Sequence, residues 1–462
     1  MNGIPHPQGT RALAALALLC TLAGCSPAPV RPTLDRQVPA AWREAPAPLG
    51  PAPDLHVWWR AFGDAELDRL VDAALADNLD IRAAGERLRA ARALARADAA
   101  RFKPTLGIAT ASDSNPDTQH SYFEAGFDAQ WELGLFGRAR SAAVQARADS
   151  GLAEADLQAA RVSVAAEVAR AWIALRTAQA QTTLRARATD AAAARVALLQ
   201  TRARLRLSAE AEVARAEAQL AEAQAAQEAP RAAATVAAQQ LAVLLGRSEP
   251  DPAWLQPAPP PRLGPVALAA TPADLLRARP EIQHAEQAVL QAAGALGVAR
   301  ADLYPRLSLA GALTLAVRLG SGATRTLVSA GPVLDLPLFD WGARRARADA
   351  GSAALAAAED AYRQAVLAGV GEVESALATL QSAHVQAGRL DAALVAQRRA
   401  DAAAATLRRL GLADGLARGE AEVALLDAQD QDLDAHAREA VAFIALYKAL
   451  GGAPPPLAEA AR

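Results

Sequence analysis

Few residues of this 462-residue chain are placed to do chemistry, and Cys25 is set apart by its neighbours. It follows Leu22, Ala23 and Gly24, which come after Arg11 and an apolar run over residues 12–19. A short apolar run behind a basic residue, ending in small side chains, has the form of a processing signal. It is shorter than the ~20 residues that a membrane-spanning helix needs. Leu-Ala-Gly-Cys matches a bacterial lipobox, which predicts cleavage before Cys25 and acylation of its thiol and new amino group. An ordinary secretory signal that happens to contain Cys25 is the other reading. Ser26, where lipoproteins kept at the inner membrane commonly carry Asp, favours outer-membrane sorting. Each buried acyl methylene contributes about 0.8 kcal/mol, so several chains make a firm anchor in outer-membrane lipid.

Other chemistry is sparse. The second cysteine, Cys20, leaves with the signal, so the mature chain has no disulfide, zinc site or thiol catalysis. The six histidines show no ligand spacing, and His384 reads as a solvated or hydrogen-bonded helix residue. Asp427, Asp430, Asp432 and Asp434 are spread around a helix axis, which favours a solvated face over a metal site. Arg398, Arg399, Arg408 and Arg409 face water or line grooves between helices. There is no nucleophile–base pair, phosphate loop or metal motif, so the chain reads as a non-enzyme with no cofactor beyond the lipid on Cys25. A net charge of -2 offers no basic field for nucleic acid.

The elements that would carry such a chain are duplicated about 205 residues apart. The segment from Phe102 to Leu106 answers that from Leu303 to Leu307, and Trp131-Glu132-Leu133 answers Leu334-Asp335-Leu336. Glu167-Val168 answers Glu372-Val373, and Leu245-Gly246 answers Leu450-Gly451. A period this long marks a duplicated structural unit. The chain parses as a signal (1–24), a lipidated Pro/Ala-rich tether (25–53) and two repeats (54–249 and 250–462). In the first repeat, strands are expected over about 105–133 and coiled-coil helices over about 138–246. In the second they fall at about 306–337 and 342–450, followed by a short tail. A short helix over 65–76 and a longer one over 80–101 precede Pro104, which forces a change of direction.

The period then switches to two. Phe123, Ala125, Phe127, Ala129, Trp131 and Leu133 alternate with Glu124, Gly126, Asp128, Gln130 and Glu132. Such alternation is a strand with one apolar and one polar face. Residues 106–111 make a shorter partner, with a polar turn over 112–120, and Leu307 to Val317 repeats the alternation. Strands of about 9–11 residues with an apolar face suit a membrane barrel. A soluble sandwich is the alternative on pattern alone.

Each strand pair is followed by a stretch without proline, 117–229 and 338–453, rich in Ala, Arg, Glu, Gln and Leu. These residues favour helix, and apolar spacings of seven, four and three mark a coiled-coil seam. A helix over 140–205 would be roughly 100 Å long at 1.5 Å per residue. Breaks at Leu205 to Glu210, where Ser208 is placed to cap a new helix, and at Leu410 to Gly415 read as hairpin tips. Proline-rich residues 250–280 suggest an irregular girdle. Four strands cannot close a barrel, which takes about eight, and an open sheet in lipid leaves unpaired backbone groups. The chain must therefore oligomerise.

Several motifs in order resemble the TolC-like outer-membrane factor family of bacterial efflux systems, in its NodT-type lipoprotein branch. They are the lipobox, Trp58-Trp59 before Phe62-Gly63-Asp64, Arg279-Pro280-Glu281-Ile282, Tyr304-Pro305, Leu135-Phe136-Gly137 and Pro337-Leu338-Phe339-Asp340-Trp341-Gly342. The resemblance implies a mainly α protein with a membrane β-barrel, a homotrimer whose twelve strands stand on a long α-helical barrel. It implies a gated export duct for small molecules, with a periplasmic adaptor (membrane fusion) protein and an inner-membrane transporter, of RND type, as partners. Alignment on Gly411 makes Glu420 and Leu416 the candidate periplasmic gate, where Glu422, Arg418 and Gly419 depart from the family's pattern. Glu420 on a solvated face paired with an Arg, and Leu416 as seam packing, are the competing readings. Arg206, Ser208, Gly411 and Asp414 are candidate adaptor contacts at the tips. Phe102, Trp131, Tyr304 and Trp341 bracket the strands as candidate interfacial aromatics, with core packing as the alternative. The rival functions are a lipid-anchored periplasmic scaffold, or the same duct serving protein secretion or metal-ion efflux.

Overall fold

The computed structural model describes residues 30–34, 38–43, 53–115, 120–264, 274, 278–319 and 321–454. Cys25, the signal and most of the tether lie outside them. Two compact units cut across the repeats. One comprises Glu86–Ala155 and Gln283–Ala365 with residues 30–34, and the other Gln37–Gly85, Asp156–Ile282 and Val366–Arg462. The reason is strand pairing, which joins the two repeats within one sheet.

That sheet lies in the first unit. Strands β1 (Thr105–Asn115), β2 (His120–Glu132), β3 (Arg306–Leu319) and β4 (Thr324–Asp335) pair antiparallel in chain order. β1 is longer than the sequence suggests, for Ser112 pairs with Phe123 where a turn was expected. Period-two geometry sorts the side chains strictly. Ile108, Phe127, Leu313 and Val328 line up across all four strands and are 73%, 49%, 45% and 76% exposed. The opposite face carries Gly107, Asp128, Ala312 and Ser329 in one row, and Ala111, Glu124, Ala316 and Arg325 in another. Small and polar residues dominate it on β1, β2 and β3, while β4 adds the exposed Leu327 and Val333. Gly126 permits the close approach of β2 to β3, since a Cβ there would sit 2.4 Å from the Leu313 carbonyl oxygen. β1 and β4 each keep one edge unpaired among the described residues.

Matching junctions lead from each strand pair into a long helix. Phe136 and Gly137 take φ of 56° and 81°, as do Trp341 and Gly342 about 205 residues later. Asp340 accepts from the backbone N–H groups of Gly342 and Arg344 at 3.0 and 3.1 Å, and so caps the second helix. Arg138 is buried between Glu132, at 3.0 Å, and Asp302.

The helices are α1 (Ala65–Asp77), α2 (Leu79–Ala100), α3 (Arg138–Arg204), α4 (Glu210–Ala225), α5 (Glu228–Leu244), α6 (Pro280–Ala301), α7 (Ala343–Arg409) and α8 (Gly415–Ala449). α3 and α7 have 67 residues each, about 100 Å of helix. Ala-rich composition lets neighbouring helices approach closely.

In the second unit the tryptophan motif forms an aromatic core. Trp58 stacks on Tyr447 with ring centroids 5.9 Å apart, meets Trp59 and Phe443 edge-on, and donates from Nε1 to the Gly452 carbonyl at 2.9 Å. Asp64 caps α1 through the N–H groups of Glu66 and Leu67 and accepts from Trp172 Nε1 at 2.8 Å. Part of the proline-rich segment closes over it, with Trp254 Nε1 3.2 Å from Glu66 and the Arg176 guanidinium 4.1 Å from the Trp172 ring. Arg279 grips the end of α8 through the Ala449 carbonyl at 3.1 Å and pairs with Glu372. Gly451, at φ 78°, leaves room for the Ala278 carbonyl 2.4 Å from where a Cβ would be.

The acidic run on α8 departs from the solvated face expected of it. Asp427 is exposed and Asp434 pairs with Arg438, but Asp430 is half-buried against Arg185 and Asp432 is buried against Arg262. α8 is clasped on more than one side, so spreading charges around its axis sends some of them inward. Arg398, Arg399, Arg408 and Arg409 are exposed, and His384 is hydrogen-bonded to Glu439 at 2.6 Å.

Candidate gate at the helix tips

α3 and α7 end in the same way. Arg206 takes φ 58°, with its N–H on the Ala203 carbonyl and Leu207 N–H on Arg202. Gly411 takes φ 72°, with its N–H on the Arg408 carbonyl and Leu412 N–H on Leu407. These are Schellman stops, which satisfy the last carbonyls of a helix through a left-handed residue. Glycine adopts that conformation freely; for arginine it costs roughly 1–2 kcal/mol. The next helices start differently. Asp414 caps α8 by accepting from Ala417 N–H at 2.9 Å, whereas α4 starts after Ala209 with no side-chain cap. Ser208, expected to cap, does not.

Between the two tips runs a ladder of ion pairs joining α3 to α8. Arg185 pairs with Asp430, Arg195 Nη2 lies 3.9 Å from Glu420, and Arg202 Nη1 donates to Asp414 at 3.0 Å. Positions rise along α3 as they fall along α8, so the two helices run antiparallel. Leu416 sits between the outer rungs and packs against Val196, Leu199 and Ala216. Gly415 admits Leu198, whose Cδ2 lies 2.9 Å from where a Cβ would be. Arg418 bonds Asp401 of α7 at 2.5 Å and approaches Glu422 at 3.9 Å.

Glu420 is thus solvent-facing, with its side chain 64% exposed, and weakly paired within the chain. Leu416 takes part in seam packing. Backbone N–H of Ala417 and the Arg202 guanidinium hold the Asp414 carboxyl below the usual carboxylate range. Burial pushes Asp430 above it, against the pull of Arg185. Sequence reasoning missed Leu205, Leu207, Leu410 and Leu412, which flank the two left-handed residues and are 64–73% exposed. Their signal was present: leucines beside a helix stop have no amphipathic stripe to join.

The four aromatics separate into two environments. Trp341 is 90% exposed, with Phe339 edge-on at 4.7 Å. Tyr304 stacks on Phe136 at 5.1 Å, and Trp131 Nε1 donates to the Phe102 carbonyl at 3.0 Å.

Residues 70–247 and 271–452 match the outer membrane efflux protein family, one match in each half of the duplicated chain. This protein belongs to that family. It is similar to the pyoverdine export outer membrane protein OpmQ of Pseudomonas aeruginosa, 29% identical over 95% of this chain and 96% of that protein. With the toluene efflux pump outer membrane protein TtgI of Pseudomonas putida it shares 30% identity over 73% of this chain and 76% of TtgI. The outer-membrane channel OprN superposes with a TM-score of 0.83 at 31% identity, covering 94% of this chain and all of OprN. As a member of this family of outer-membrane channels the chain belongs to the outer membrane, and its family is not one of enzymes.

Proposed function

We propose that this efflux protein is the outer-membrane duct of a tripartite pump, working as a homotrimer with a periplasmic adaptor and an inner-membrane transporter, of RND type. The observation that carries the proposal is the sheet. One face presents Ile108, Phe127, Leu313 and Val328 outward, the other is mostly small and polar, and one edge each of β1 and β4 is unpaired among the described residues. In lipid each unpaired backbone group costs several kcal/mol, so the edges must be closed by other copies of the chain. Three copies supply twelve strands with an apolar outside and a wet bore.

Cys25 carries the lipid that tethers the chain to the same membrane. Glu420 from each copy lines the periplasmic mouth as a cation-attracting ring, with Leu416 beneath it as an apolar stop. The exposed leucines and Arg206 at the tips, with Ser208, Gly411 and Asp414, receive the adaptor; an arginine held in a left-handed conformation suits a position kept for contact rather than packing. Cargo is small organic molecules, a reading supported by relatives named for pyoverdine and toluene.

Conductance of the detergent-extracted protein in planar bilayers, with oligomer mass from the same sample, tests this. Discrete channels from a trimer are expected. A silent monomer would return the chain to a lipid-anchored scaffold.

A further inference from the structure

Arg262, Asp391, Asp432 and His436 converge within the second unit from three segments, the loop beyond Trp254, helix α7 and helix α8. Ligand atoms of Asp391, Asp432 and His436 all lie within 4.8 Å of one another. His436 Nε2 is 3.3 Å from an Asp391 oxygen and 3.7 Å from Asp432 Oδ1. The Asp432 side chain is 4% exposed, and its Oδ1 is buried without a hydrogen-bond donor. On the far side of the imidazole, Glu439 faces His436 Nδ1 at 3.3 Å and His384 Nδ1 at 2.6 Å.

The chemistry of this arrangement is specific. An ionised carboxylate only accepts, so Glu439 fixes the proton of His436 on Nδ1 and turns the Nε2 lone pair toward the two aspartates. An imidazole oriented by a carboxylate behind it is how metal-ligating histidines are held. Three negative groups, Asp391, Asp432 and Glu439, face one fixed positive group, Arg262. Arg262 reaches Asp432 Oδ2 at 2.9 Å and His436 Nε2 at 3.1 Å, with its side chain 55% exposed. It therefore approaches from the rim and leaves the buried Asp432 Oδ1 without a partner. A groove of about 490 Å³, lined by Arg262, Asp432, Leu394 and Pro259 among others, gives access from solvent.

We infer that Asp391, Asp432 and His436 form a site for one divalent transition-metal cation, with Glu439 as its supporting carboxylate and Arg262 as a displaceable competitor. One imidazole and two carboxylates suit zinc and its neighbours. Metal bound there clamps α7 to α8, a role separate from conduction that stands whether or not the chain forms a channel.

The test is a Co²⁺ titration of the purified full-length protein in detergent after chelator treatment, followed by visible absorption and Zn²⁺ competition. One equivalent per chain, displaced by Zn²⁺, is expected. Glu439→Gln should weaken binding roughly 10–100-fold. Asp391→Asn, at a half-exposed position that leaves the core intact, should remove the absorption, and His436→Gln should do the same. Arg262→Gln should bind as tightly or more tightly. Absence of saturable binding below millimolar Co²⁺ overturns the inference. So does binding that survives both Asp391→Asn and His436→Gln, or binding lost in Arg262→Gln while its oligomer mass is unchanged.

Discussion

Arg202 and Asp414 meet at 3.0 Å where the last turn of α3 lies beside the first turn of α8, so the tip of one repeat is fastened to the tip of the other. Asp414 also caps α8, accepting from Ala417 N–H. One carboxylate thus starts a helix and holds it to its neighbour. Arg195–Glu420 and Arg185–Asp430 continue the attachment along both helices. The two pairs nearest the tip are exposed, and such pairs are individually weak and screened by salt, and so are suited to being undone together.

Removing the rungs should loosen the tip without unfolding the chain. Combining Arg202→Gln with Arg195→Gln should raise single-channel conductance several-fold while melting of the whole molecule shifts little. Unchanged conductance would place the constriction elsewhere.

Glu420→Ala and Leu416→Ala should both widen the mouth, by different routes. Glu420 is exposed, so its loss should lower cation preference with little effect on stability. Leu416 is packed on Val196 and Leu199, so its truncation should also cost stability, by less than the ~2–5 kcal/mol of a fully buried leucine. Ion-selectivity measurements and thermal melts on each single variant separate the two effects.

Acid should undo the ladder from its inner rung. Burial raises the Asp430 carboxyl, so the fold favours its protonated form, and falling pH neutralises Asp430 before ordinary carboxylates. Asp414 is held low by Ala417 N–H and Arg202, so its contribution is present above the usual carboxylate pKa and lost only as pH falls through the depressed value. Mildly acidified wild type should therefore behave like Arg185→Gln, and that variant should lack the first acid step in a conductance–pH series. If both retain the same step, Asp430 is not its origin.

The two faces of the sheet should respond oppositely to charge. Phe127→Arg places a cation among Ile108 and Leu313 on the apolar face, at about 2–4 kcal/mol if it lies near the bilayer midplane. Asp128→Arg, one residue on, points to the opposite face, beside Gly107 and Ala312, and should leave membrane-embedded protein near the wild-type level. Yields of heat-modifiable oligomer from outer-membrane fractions read out the difference; equal losses would mean that neither face meets lipid.

Cys25→Ser should abolish incorporation of labelled fatty acid yet leave the protein in the membrane, since the sheet embeds independently of the tether. Release into the soluble fraction would make the lipid the main anchor.

Much of this was legible in the residues. Alternation from Phe123 to Glu132 fixed a strand and its two faces, because neighbouring side chains must point to opposite sides of a sheet. Loss of proline and the wealth of alanine marked two long helical stretches, and the breaks at Leu205 and Leu410 marked where α3 and α7 stop. The 205-residue offset carried over to paired left-handed residues, Phe136 with Trp341 and Arg206 with Gly411. What periodicity could not supply was partnership across the chain. Strand order β1-β2-β3-β4 joins the halves through Phe127 and Leu313, a contact between residues far apart in sequence. Asp432 read as wet because a helix axis shows which residues share a face but not what packs against it; only when α8 is clasped by α7 and the loop bearing Arg262 does that carboxylate become buried. Local sequence sets the conformation of each segment through sterics and hydrogen bonding. Burial and ion pairing belong to the packed assembly of segments, and for Arg202 with Asp414, or Asp391 with His436, the tertiary structure alone decided them.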